Sequence, residues 1–188
     1  MPPGPAAAAP APPDHPLPAL QRDTAPLVPA VVSLNVANAA LLAAEQEVLA
    51  ARAGIICPVE GNVWFMNDFG DSRPGGRSHQ GNDIASGPDQ AAVAVVDGAV
   101  SYKSGHRQGR GAYLRGSDGN EYRYYHLNEY VGAPRAVKRG EVIGIVGNTG
   151  NAGGIHTHFE IHPGWSEYDV ENPYDKLDIA CRDRAPLH

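Results

Sequence analysis

The segment GGIHTHFEIH, residues 153–162, carries His156, His158 and His162 at positions of one parity. In an extended strand side chains alternate with period two, so the three imidazoles would leave one face together. Such a face can bind metal, move protons, or form a polar edge of a sheet. Residues two apart in a strand have Cα atoms roughly 6.5–7 Å from each other, and zinc sits ~2 Å from a ligating nitrogen. His156 and His158 could both reach one ion, or one could bind while the other leans over a metal-bound water. Periodicity leaves both arrangements open.

Zinc enzymes usually take three protein ligands from His, Asp or Glu and keep one position for water. A second source of ligands is SHQGND, where His79 and Asp83 are four apart. Gly81 and Asn82 between them favour a turn over a helix, and a turn can still bring an imidazole and a carboxylate to one ion. A third element, EYRYYHL, holds His126. Alone it reads as a hydrogen-bonded structural histidine; its weight depends on whether it faces the other two clusters.

The elements that must position these residues are mostly strands. After Pro58 short runs such as GAYLRG, EYRYYHL, EVIGIVG and HTHFEIH alternate with Gly, Asn and Asp turns, and no helix longer than a turn or two is expected. Asp97-Gly98 and Asp118-Gly119 each lie between apolar or aromatic runs, a hairpin signal. The expected fold is mainly β: an antiparallel sheet forming an open barrel or sandwich, with the site in a groove, preceded by one N-terminal helix. Residues 1–30, rich in proline and poor in large apolar side chains, read as a flexible arm. Residues 31–54 read as a helical linker, with Leu34, Leu41 and Val48 seven apart, Leu42 and Leu49 beside them, and Gly54 as the stop. That stripe would pack on the domain or on a partner. The β domain spans 55–181 and a tail spans 182–188.

A formal charge of -6 argues against nucleic acid. The arginines gathered between Arg73 and Arg139 read as a solvated face rather than a rim for an anionic polymer. No apolar run approaches the ~20 residues of a membrane span, and MPPGPAAAAPAPP lacks the n- and h-regions of a signal peptide. Either the protein stays inside the cell or this sequence begins after its export signal. Cys57 and Cys181, near the two ends of the β domain, suit a disulfide in an oxidising compartment; the other reading is two unrelated buried thiols. The glycines between Gly144 and Gly154 are not followed by G-K-[ST], and G-x-S-x-G is absent, which removes a phosphate loop and a serine hydrolase.

HQGND (79–83), YYHL (124–127) and HTHFE (156–160), in that order, resemble the His-x-Gly-x-Asp, Tyr-x-His-Leu and His-x-His-Phe-Glu elements of the lysostaphin-type (LytM-like) zinc metallopeptidases of bacterial peptidoglycan. CPVEGNV, FGDSR, VVDGAV and VKRGEVIGIVGNTGNAGG support the resemblance, which covers about Ile56 to Leu177 and implies a duplicated hybrid motif fold. It implies one Zn2+ per domain held by His79, Asp83 and His158, with His126 and His156 flanking the water as catalytic residues. It also implies peptidoglycan peptides as the substrate and a location outside the cytoplasm. The activity implied is endopeptidase cleavage of peptide bonds in stems or cross-links; the alternative is a catalytically silent domain that regulates another hydrolase or scaffolds on the wall. Thr157 stands where the family usually has an aliphatic residue, and GHRQGRGAYL departs from the family text, which touches substrate contacts. Glu160 is expected to support the site and His162 to be a rim or supporting residue outside the chemistry. Residues 1–53 read as a wall-spanning tether or as a segment folded over the zinc.

Overall fold

A computed structural model describes residues 27–182 of the protein, with side chains from residue 31 onward. The arm expected over 1–26 and the tail over 183–188 lie outside the described residues. Helix α1 spans Leu27–Ala53, so the last four residues assigned to the arm are helical. Pro29 permits this early start because the first four amides of a helix have no intrahelical acceptor. Gly54, at φ 75°, ends the helix and donates its N–H to the Ala50 carbonyl at 2.8 Å. Leu34, Leu41, Leu42 and Val48 are exposed, whereas Ala50 and Ala53 are buried. Of the two expected packings of the stripe, on the domain or on a partner, Leu41, Leu42 and Val48 do not take the first within this chain. The helix meets the core through small alanines of its last turns, just before Gly54 redirects the chain into Ile55.

The described residues divide into two units after Ala40; the site belongs to the second. A seven-stranded sheet runs, in spatial order, β1 (Val63–Trp64), β4 (Asn82–Ser86), β12 (His156–Pro163), β8 (Asn120–Leu127), β7 (Gly109–Gly116), β6 (Gly98–Gly105) and β10 (Arg135–Val137). All its pairings are antiparallel, and its end strands β1 and β10 do not meet, so it stays open. A three-stranded sheet joins β5 (Ala91–Val93), β11 (Val142–Ile145) and β9 (Glu129–Tyr130), and β2 (Ser72–Arg73) pairs with β3 (Arg77–Ser78) as a separate hairpin. Both larger sheets feed one core: Tyr124, Leu114 and Phe159 from one, Ala92 and Ile143 from the other, with Leu177 of α2 (Tyr174–Ala180). A disulfide joins Cys57 to Cys181, with Cα atoms 4.9 Å apart. It ties the entry of the domain to the end of α2.

The two expected hairpin turns fare differently. Asp118-Gly119 does join β7 to β8: Gly119 takes φ 88°, and the Asp118 carboxylate accepts the Asn120 N–H. Asp97-Gly98 is no hairpin turn, because β5 before it and β6 after it lie in different sheets. Asp97 instead accepts hydrogen bonds from Lys138 Nζ and the Arg139 N–H, each at 2.8 Å. Gly98 is required for close approach, since a Cβ there would lie 2.3 Å from the Arg115 carbonyl oxygen.

Candidate metal centre and catalytic groove

The site is built on three neighbouring strands. Strand β12 alternates cleanly: Phe159 and Ile161 enter the core beside the buried Thr157, while His156, His158, Glu160 and His162 share the other face. On one side β12 pairs with β4, placing His158 opposite Asp83. His79 precedes β4 on the short connection from β3, which bends at Gly81. That bend can lie against β12 only because residue 81 is glycine; a Cβ there would stand 2.1 Å from the Phe159 carbonyl oxygen.

On the other side β12 pairs with β8, where Tyr125 stacks on His158 with ring centroids 5.6 Å apart. Simple alternation would then send His126 toward the core with Tyr122 and Tyr124. It does not go there. Between the pairs Arg110↔Leu127 and Ala112↔Tyr124, β8 carries one residue more than β7, and His126 adopts φ 66°. Such a bulge bends the strand and re-aims a side chain, at a backbone cost on the order of 1–3 kcal/mol for a non-glycine residue. Its result is a ring 4.7 Å from that of His156 and 6.3 Å from that of His158. His126 faces the other clusters, and with them forms one constellation.

Three donor atoms converge there: His79 Nε2, His158 Nδ1 and Asp83 Oδ1, separated by 2.8, 2.9 and 3.1 Å. Among the described residues this is the one group of three such side chains close enough to share an ion. The opposite ring nitrogens are already committed. His79 Nδ1 donates to the Asp68 carbonyl at 2.8 Å, and His158 Nε2 donates to Glu160 at 3.0 Å. Neutral imidazoles so oriented point bare lone pairs at each other and at a carboxylate oxygen, an arrangement that needs a cation or a proton at its centre. Burial alone would lower His158, but its contacts with Asp83 and Glu160 outweigh that and push it up to about 9. Burial would likewise raise Asp83, yet the His158 and His79 imidazoles hold its carboxyl well below the usual range. A divalent cation bound by His79, Asp83 and His158 would take the place of that proton. Two imidazoles and one carboxylate suit zinc, and ring orientation fixed from behind is what such sites require.

Glu160 is not exposed to substrate as a free base. It is 4% exposed and gives one oxygen to His158 and the other, at 2.8 Å, to His162 Nε2. His162 in turn donates Nδ1–H to the Ser166 carbonyl at 2.9 Å and is 1% exposed. The supporting role expected of Glu160 fits this geometry, and His162 belongs to the same chain of contacts instead of the rim. Burial pushes Glu160 up, but its imidazole partners prevail and bring it down to about 2.

Among the described residues the Nε2 atoms of His126 and His156 accept no hydrogen bond, and His156 Nε2 stands 3.7 Å from Asp83 Oδ1. His126 Nδ1 donates to the Thr149 carbonyl at 2.8 Å, and His156 Nδ1 donates to the Gly154 carbonyl at 2.9 Å. Burial lowers His126 to about 4, so its imidazole is neutral at pH 7. The groove around them has a volume of about 990 Å3, with exposed Trp64, Met66 and Ile155 among its lining and Arg77 and Arg107 also facing it. Part of the arginine-rich segment therefore borders the site. Sequence reasoning passed over Arg73 and Asp68, although both stand in or beside FGDSR.

A model of peptidase family M23 matches residues 77–170. The chain belongs to this family. As an M23 chain it is 38% identical over 86 residues to DD-carboxypeptidase/endopeptidase Mpg of Neisseria meningitidis, covering 45% of this chain and 20% of that protein. It is 32% identical over 141 residues to Murein hydrolase activator NlpD of Salmonella dublin, covering 73% and 35%. The catalytic domain of lysostaphin from Staphylococcus simulans is similar at 26% identity with a TM-score of 0.54, over 61% of this chain and 92% of that one. The aligned stretch spans about a fifth of the length of Mpg and about a third of NlpD.

Proposed function

We propose that this M23 chain is a zinc-dependent endopeptidase that hydrolyses peptide bonds in peptidoglycan stems or cross-links. The observation that carries the reading is the convergence of His79, Asp83 and His158 on one centre with two imidazoles, His126 and His156, beside it. Zn2+ held by the three ligands supplies a Lewis acid that acidifies water and polarises a carbonyl. His126, neutral and with Nε2 free, accepts the proton of the attacking water. His126 then returns that proton to the departing amine, while His156, whose Nε2 lies 3.7 Å from Asp83 Oδ1, would in its imidazolium form donate Nε2–H to the developing oxyanion. Trp64, Met66 and Ile155 exclude water from one wall of the groove, and Arg77 and Arg107 offer donors to carboxylates of an acidic stem peptide.

The Cys57–Cys181 disulfide supports a location outside the cytoplasm, where such bonds persist. No helix among the described residues is long and apolar enough to cross a membrane. Similarity to a murein hydrolase activator favours a second reading, a silent regulator of another hydrolase. Retention of all five site residues favours the enzyme. The test is bound zinc and digestion of purified peptidoglycan for the wild type, His158→Ala and His126→Ala. His158→Ala should lose metal; His126→Ala should keep it and lose activity by roughly 10²–10⁴-fold. A wild type without zinc overturns the enzyme reading, and a zinc-loaded wild type inert toward walls leaves the regulator.

A further inference from the structure

The Asp83 carboxylate is engaged at both oxygens. Oδ1 lies inside the donor triangle, 3.1 Å from His79 Nε2 and 2.9 Å from His158 Nδ1. Oδ2 lies 2.8 Å from Arg73 Nη2. The same Nη2 stands 3.3 Å from Asp68 Oδ2, so one amino group bridges two carboxylates. Asp68 is itself fixed: its Oδ1 accepts from the Asn82 side-chain amide at 2.9 Å and from the Asp83 N–H at 3.3 Å, while its carbonyl orients His79. Arg73 arrives on the β2–β3 hairpin, whose turn takes positive φ at Gly75 and Gly76. Its side chain is about one-third exposed, at 32%, and it is held on the carboxylate side of the site.

An ionised carboxylate offers two oxygens and can grip a cation with one or both. The choice matters at a hydrolytic centre, because a second oxygen from the same side chain occupies the position that water must take. A guanidinium on Oδ2 forms a charge-assisted hydrogen bond that a two-oxygen grip would have to break. Since Asp68 anchors the same nitrogen, the guanidinium cannot simply follow the carboxylate inward. We propose that Arg73 is a positioning residue that sets Asp83 as a one-oxygen ligand and so keeps a coordination position open for water. The proposal rests on the zinc reading above.

Cobalt(II) put in place of zinc tests it without reference to turnover, because its visible bands are intense in four-coordinate sites and weak in five- or six-coordinate ones. The wild type should give the intense spectrum. Arg73→Met should give the weak one and bind zinc about 10–100-fold less tightly, the usual cost of losing a partner behind a metal ligand. Arg73→Lys, which returns a cation to Oδ2, should recover the intense spectrum. Unchanged spectrum and affinity in Arg73→Met overturn the proposal while leaving the zinc reading intact. Should Arg73→Met fail to fold, X-ray absorption of the zinc-loaded wild type decides: one Asp83 oxygen at ligand distance supports the proposal, and two overturn it. A wild type that takes up neither cobalt nor zinc overturns the zinc reading and this proposal with it.

Discussion

Thr157 offers a stability prediction that is independent of the chemistry. It sits between His156 and His158 on β12 but faces the core, is 0% exposed, and its Oγ1 has no hydrogen-bond partner among the described residues. An unsatisfied buried hydroxyl costs about 1–3 kcal/mol. Thr157→Val keeps the branched shape, removes that cost, and buries a methyl group where the hydroxyl was. Allowing for imperfect fit of the new methyl, we expect a gain of about 1–2 kcal/mol. For a domain the size of Ile55 to Arg182, 1 kcal/mol corresponds to about 3–4 °C, so the melting temperature should rise by about 3–8 °C. The assay is equilibrium urea unfolding with the disulfide intact and metal removed by chelation, because bound metal adds its own stabilisation. The midpoint should move up with the slope unchanged. A midpoint equal to or below the wild-type value refutes the reasoning, since the hydroxyl would then be satisfied in the folded state.

Two further outcomes follow from the structure. Replacing Cys57 and Cys181 together by alanine releases a 124-residue closure, for which the chain-entropy model gives about 5 kcal/mol of lost stability; urea curves with and without the bond measure it, and a loss under about 1 kcal/mol contradicts that model here. The His126 imidazole, held neutral by burial, should titrate near pH 4 in metal-free protein when followed by NMR. A midpoint at or above its ordinary 6.5 would mean that the ring is not desolvated.

How far the sequence could be read depended on whether a local pattern carried the answer. Period two on HTHFEIH was enough to put four polar side chains on one face, because β12 is regular from end to end. His79 and Asp83 were legible as a pair that could meet one ion, but the expected turn covers only the bend at Gly81, since Asn82 and Asp83 already belong to β4. Joining these to His126 needed the family resemblance, since the bulge that turns His126 out of the core leaves no trace in alternation. Asp97-Gly98 misled because turn chemistry reports the local bend but not which strands its flanks pair with. For His162 the sequence left rim and supporting residue both open for a related reason: whether a polar side chain on the strand face is open or sealed depends on its contact with Ser166. The start of α1 was placed four residues late because the proline-rich composition before Val31 was read as arm, although the first turn of a helix tolerates proline.

Asp83, His126, His156 and His158 lie on three adjacent strands of one sheet, with His79 on the connection just before β4, whereas several groove-lining groups come from separate connections. Arg77 belongs to the small hairpin, Arg107 to the turn between β6 and β7, and Ile155 to the segment before β12. The donor cluster and the lining of the groove are therefore encoded in different stretches of chain. On the proposed function, exchanging those connections between relatives should change which peptides the groove accepts while leaving the His79–Asp83–His158 cluster in place.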